Sequence, residues 1–236
     1  MFFGIVGIVE VVAAVLPAVL LLAYVYKKDK AEKEPIGLLI RLVIQGFVAV
    51  AISGFLETVG ERALNNFSYE ETDWYWVVFA FLVVAAVEEG SKYFLMKRIT
   101  WNNPNFNFRF DGIVYAVFVS LGFAALENVG YVMGYGLSVA PMRAIISVPG
   151  HMAFSIYMGY YYGRAKWLEN YGYLEESSTS RRNALLSAIF YHGFFDACLM
   201  IGSSLTMVLF LVFVIVVYIR AFMTVRKESN TDAPII

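Results

Sequence analysis

Long apolar runs separated by short polar stretches dominate the chain. Seven runs can be counted, near 3–25, 36–57, 74–96, 112–134, 139–162, 183–203 and 205–226. Each approaches or exceeds the roughly 20 residues that a helix needs to cross the hydrocarbon of a bilayer. The pattern predicts an all-α fold, a polytopic bundle of about seven transmembrane helices forming one membrane domain over 1–236. The polar connections are short except for 58–73, 97–111 and 163–182, which leaves no room for a separate soluble domain. The first run, Phe2 to Tyr26, begins without a basic segment and exceeds a signal-peptide core, so it is expected to be a retained span.

Composition agrees with the pattern. The 236 residues are 60% hydrophobic and 16% charged, against about 25% charged in soluble domains. A net charge of −1 gives no reason to expect a nucleic-acid partner. The single cysteine, Cys198, excludes an internal disulfide and a cysteine-rich metal site.

Charge placement adds an orientation. Lys27, Lys28, Lys30 and Lys33 follow the first run; Lys97, Arg98 and Arg109 follow the third; Arg164, Lys166, Arg181 and Arg182 follow the fifth. Arg226 and Lys227 end the seventh. The alternate connections hold only Arg62, set among Glu61, Glu70, Glu71 and Asp73. Basic loops stay in the cytoplasm, so the expectation is a multi-pass cell-membrane protein with its N-terminus outside and its C-terminus inside. Trp74, Tyr75 and Trp76 at one end of a run, and Tyr160, Tyr161 and Tyr162 at another, fit interfacial anchors. Arg41, Glu57 and Arg143 lie near run ends and read as residues that snorkel to the interface, although Arg143 is also placed to contact a substrate.

The interruptions of the apolar pattern carry the chemistry. The third run contains Glu88, Glu89 and Lys92; the fourth Glu127 and Asn128; the fifth His151; the sixth His192 and Asp196. Ionisable groups at membrane depth cost about 3 kcal/mol or more each and usually mark function. The structural alternative is a buried ion pair between Glu88 and Lys92, four residues apart on one helix face; it leaves Glu89 without a partner. Counting about 1.5 Å per residue from the cytoplasmic ends puts Glu88 and His192 roughly 12–14 Å deep, His151 about 17 Å, and Asp196 and Glu127 about 20–22 Å. One plane of the bundle can therefore hold them all. Pro149 and Gly150 are expected to open the helix just before His151. Glycines at 112, 122, 130, 134, 159 and 163 are expected to allow close helix approach.

Paired glutamates and histidines suit general-base or metal-assisted hydrolysis, with a carboxylate deprotonating water and the histidines holding zinc or an oxyanion. His192 and Asp196, four apart, share a face, so the carboxylate can orient the imidazole or join it on a metal. There is no HExxH helix, no GxSxG elbow, and no pair of intramembrane aspartates. A proton-coupled transporter could use the same acid–histidine cluster, but the internal repeat common in transporters is not visible.

Four motifs in order, Glu88-Glu89-x-x-Lys92, Phe123-x-x-x-Glu127-Asn128, His151 and His192-Gly193-x-x-Asp196, resemble those of the PrsW-type intramembrane proteases of bacteria, within the clan of CAAX prenyl endopeptidases and bacteriocin-immunity proteins. The similarity covers the third through sixth runs. Lys92 after the glutamate pair and Glu127-Asn128 in the second motif match the PrsW branch and count against prenylated substrates. The resemblance implies that Glu88, Glu89 and His192 are catalytic. With it, Lys92, Asn128 and Asp196 are expected to act on the substrate or in support. His151, His192, Glu127 and Glu89 are expected to bind any metal, zinc first. It also implies a membrane-anchored protein substrate in the bilayer, an anti-sigma factor cut on its extracellular side.

Overall fold

A chain in hydrocarbon must satisfy its backbone N–H and C=O groups internally, and the apolar runs do so as helices. The computed structural model describes residues 2–67 and 72–235; Glu70 and Glu71, counted above in a polar connection, lie outside the described residues. Seven helical stretches result. They are α1 (Phe2–Lys28), α2 (Ile36–Phe67), α3 (Asp73–Val78 through Phe79–Ala85 to Ala86–Thr100), α4 (Asp111–Tyr135), α5 (Ala140–Met142 through Arg143–Ser147 to Val148–Asn170), α6 (Leu174–Ile201) and α7 (Ser204–Asn230). Among the described residues α1, α2, α4, α6 and α7 are long and apolar enough to cross a membrane. The protein is a polytopic membrane helix bundle. Among the described residues α3 and α5 are interrupted by π-helical turns, at Phe79–Ala85 and Arg143–Ser147.

Two boundaries depart from the apolar pattern. α2 continues past the expected end near residue 57 to Phe67. The polar stretch 163–182 is mostly helix, because α5 runs to Asn170 and α6 starts at Leu174 after a tight turn through Gly172. Polarity there marks helix leaving hydrocarbon rather than loss of helix.

α4 is the central element. It is buried without a break from Asp111 to Ala125 and packs against α1, α2 and α5. Glycine sets that packing where backbones touch. A Cβ on Gly112 would lie 2.5 Å from the Gly163 nitrogen, and one on Gly159 would lie 2.5 Å from the Gly112 oxygen. Gly130 and Gly134, expected to serve the same purpose, face open space. The outer faces of α1 and α7 expose a broad apolar surface, Leu20 and Ile215 among it, which suits lipid contact.

At the basic end the tail folds back onto the segment before α4. Ile235 N donates to Asn107 O at 2.6 Å, Phe110 N donates to Asp232 Oδ1 at 2.9 Å, and the Ser229 hydroxyl donates to the Lys28 carbonyl. Asp29 and Glu34, in the connection between α1 and α2, are buried beside this seam. Burial pushes the Asp29 carboxyl up to about 6 and that of Glu34 up to about 7.

Candidate active site

Glu88 and Glu89 sit one turn after the π segment of α3, where Ala86 N donates to Phe81 O five residues back. A π turn holds one residue more than an α turn, so it rotates everything downstream by about 100° relative to the preceding helix. α6 packs against this segment closely enough that a Cβ on Gly193 would meet the Phe81 ring at 2.6 Å. The adjacent His192 thereby reaches the glutamates of α3.

The expected residues do come together. Lys92 Nζ donates to Glu88 Oε2 at 2.9 Å and to Glu89 Oε1 at 2.7 Å. An ion pair between Glu88 and Lys92 therefore does not leave Glu89 without a partner, because residues three and four apart both lie on one helix face. His192 Nδ1 lies 2.9 Å from Glu89 Oε1 and 3.9 Å from Glu88 Oε2, and its Nε2 lies 3.2 Å from Asp196 Oδ2. From α5, His151 Nδ1 lies 3.4 Å from Lys92 Nζ, while its Nε2 lies 3.1 Å from Glu127 Oε2. Each imidazole thus turns Nδ1 toward the glutamate–lysine centre and gives Nε2 to an outer carboxylate. The Lys92 ammonium also lies 3.9 Å over the Phe123 ring.

Pro149 does not break α5. The π turn Arg143–Ser147 precedes it, with Val148 N donating to Arg143 O, and the helix stays continuous through His151. The wider turn accommodates the proline ring that a regular α turn would exclude. Its first residue, Arg143, does not snorkel: it donates from Nε to Asn128 Oδ1 at 2.7 Å and from an Nη to Glu127 Oε2 at 2.9 Å. Asn128 in turn donates to Ala14 O at 2.7 Å, tying α4 to α1. Asn128 is fully buried, does not border the cavity, and connects to Glu127 through Arg143.

That cavity, of about 390 Å³, is bordered by Glu88, Glu127, His151, His192 and Asp196. Glu89 is 0% exposed and stands behind Glu88, which is 6% exposed and faces the space. From the glutamate–histidine cluster the cavity runs away from the basic end, past Val84 and Phe79 of α3, Tyr131 of α4, Ser147 of α5 and Met200 of α6. Glu57 of α2 also lines it. The expectation that Glu57 snorkels fails because α2 extends well beyond it to Phe67, and the half-buried side chain borders the cavity. Nothing in its local sequence distinguishes it from an interfacial glutamate.

The residues present fit a zinc ion. One nitrogen or oxygen from each of Glu88, Glu89, His151 and His192 lies within 4.8 Å of the others. Imidazole and carboxylate are zinc donors, and an outer carboxylate on the far nitrogen is the usual support of a metal-bound histidine. Glu127, expected among the ligands, stands outside this group of four and supplies that support to His151. The Lys92 ammonium contacts three of the four and places positive charge at the same centre.

Comparison with known proteins agrees with the motifs. A family model described as PrsW family intramembrane metalloprotease matches residues 34–221. The chain is 34% identical to Protease PrsW of Oceanobacillus iheyensis over 219 residues, covering 93% of this chain and 96% of the relative. It is 32% identical to Protease PrsW of Clostridioides difficile over 214 residues, covering 87% and 85%. Protease PrsW of Bacillus subtilis is 33% identical over 156 residues, covering 66% and 68%. No solved structure matches. With its four motifs assembled around one buried cavity and the family model spanning α2 to α7, the chain belongs to the PrsW family of intramembrane proteases.

Proposed function

We propose that the protein cleaves a peptide bond in a single-span membrane protein, with Glu88 as the base that activates water. The carrying observation is that Glu88, alone of the glutamate pair, borders a cavity shared with both histidines. Hydrolysis there proceeds by attack of a water oxygen on the scissile carbonyl carbon. The water proton passes to Glu88 and then to the amide nitrogen as the C–N bond breaks. Glu89 and Lys92 hold Glu88 in place, while Asp196 and Glu127 orient His192 and His151 beside it. A zinc ion bound by His151, His192 and a glutamate would polarise the carbonyl and acidify the water.

The proposed orientation has the N-terminus outside and the basic end in the cytoplasm. The run of the cavity away from the basic end then favours cleavage on the extracellular side. By family resemblance, the substrate class is an anti-sigma factor. The test is cleavage of single-span membrane proteins by the purified protein in proteoliposomes. Wild type should release a defined fragment and Glu88→Gln should not; equal cleavage by both would sink the assignment of Glu88, and no cleavage by wild type would sink the substrate class.

A further inference from the structure

The cavity carboxylates are matched with one exception. Glu88 has Lys92, Glu127 has Arg143 and His151, and Asp196 has His192. Among the described residues Glu57 makes no hydrogen bond and no ion pair, and its Oε1 is fully enclosed without a partner. A carboxylate oxygen enclosed in this way is unfavourable unless a donor arrives. The cations nearby direct their hydrogen bonds elsewhere: Lys92 donates to Glu88 and Glu89, and Arg143 to Asn128 and Glu127.

Peptide hydrolysis generates the missing partner. The amide nitrogen carries no charge and little basicity before cleavage. Once the C–N bond breaks and the nitrogen has taken the water proton, it is an amine; with the proton shed by the new carboxylic acid it becomes an ammonium. Each turnover thus creates one ammonium, with one carboxylate on the other fragment, in a cavity whose anions other than Glu57 already have partners. We infer that Glu57 is the leaving-group subsite, accepting a hydrogen bond from the released α-amine and pairing with its ammonium form. This assignment rests on the hydrolytic reading above and gives α2 a place in the reaction.

Product binding probes this subsite without turnover. The probes are two synthetic peptides matching the fragment released on the amine side, one with a free N-terminus and one N-acetylated. They are assayed as inhibitors of wild type and Glu57→Gln, and as ligands of the non-cleaving Glu88→Gln protein. Wild type and Glu88→Gln should bind the free amine about tenfold more tightly than the acetylated peptide, the scale of one charge-assisted hydrogen bond. In Glu57→Gln that preference should vanish, kcat should fall about tenfold with KM little changed, and the melting temperature should stay the same or rise. Glu57→Ala serves as a second variant with the same expected loss of preference. A preference retained in both variants, or a melting temperature lowered in both, overturns the assignment and leaves Glu57 a structural residue. Absence of cleavage by wild type would instead count against the hydrolytic reading.

Discussion

The glutamate pair offers a direct test of how labour is divided in the site, because the two neighbours predict opposite phenotypes. Glu88→Gln removes the proton acceptor but leaves an amide oxygen to accept from Lys92, and Lys92 keeps its 2.7 Å bond to Glu89. The stability cost should be that of weakening one charged hydrogen bond, about 1 kcal/mol, or roughly 2–4 °C for a chain of this size. The rate should fall at least about 100-fold, near 3 kcal/mol of barrier. Glu89→Gln removes a charge that is 0% exposed and lies within 2.9 Å of both Lys92 and His192. Breaking a buried pair from one side costs about 3–5 kcal/mol, or roughly 6–20 °C. The assay is cleavage rate and thermal melting on the same detergent-purified preparations. A Glu88→Gln protein that keeps a tenth of wild-type activity, or that melts as low as Glu89→Gln, would refute the reasoning.

Further outcomes follow from other parts of the molecule. If zinc occupies the centre, exhaustive chelation should abolish cleavage, zinc should restore it, and metal content should fall in a His151→Ala, His192→Ala double variant; full activity without metal would leave the glutamate–histidine chemistry to act alone. For orientation, a cysteine placed at Asn66 should react with an impermeant thiol reagent in intact cells and one at Asn103 should not, the reverse pattern inverting the topology. Asp29 and Glu34 titrate higher in the fold than their ordinary 3.8 and 4.5, so the folded chain holds more protons between about pH 4 and 7. Their contribution should be fully present below about pH 4 and be lost as pH rises through about 6 and 7. Glu34→Gln should flatten this part of the stability–pH curve, and an unchanged curve would count against the assignment.

Much of this molecule was legible one-dimensionally because a bilayer leaves little choice: an apolar run of sufficient length must satisfy its own backbone, and helix is how it does so. The same environment made Glu88, Glu89, His151 and His192 conspicuous, since charge in hydrocarbon stands out against every neighbour. The pairing of His192 with Asp196 also followed from a four-residue spacing on one helix. What spacing could not decide was anything set between helices or by departures from ideal geometry. Glu88 and Glu89 are adjacent and chemically identical; only the rotation imposed by the π turn of α3 and the approach of α6 at Gly193 turn one to the cavity and the other away. Glu57 and Arg143 resembled interfacial residues because their runs seemed to end there, whereas the bundle carries both inward to the cavity. Local sequence governs which segments bury themselves, but the direction a side chain faces depends on the helix packed against it.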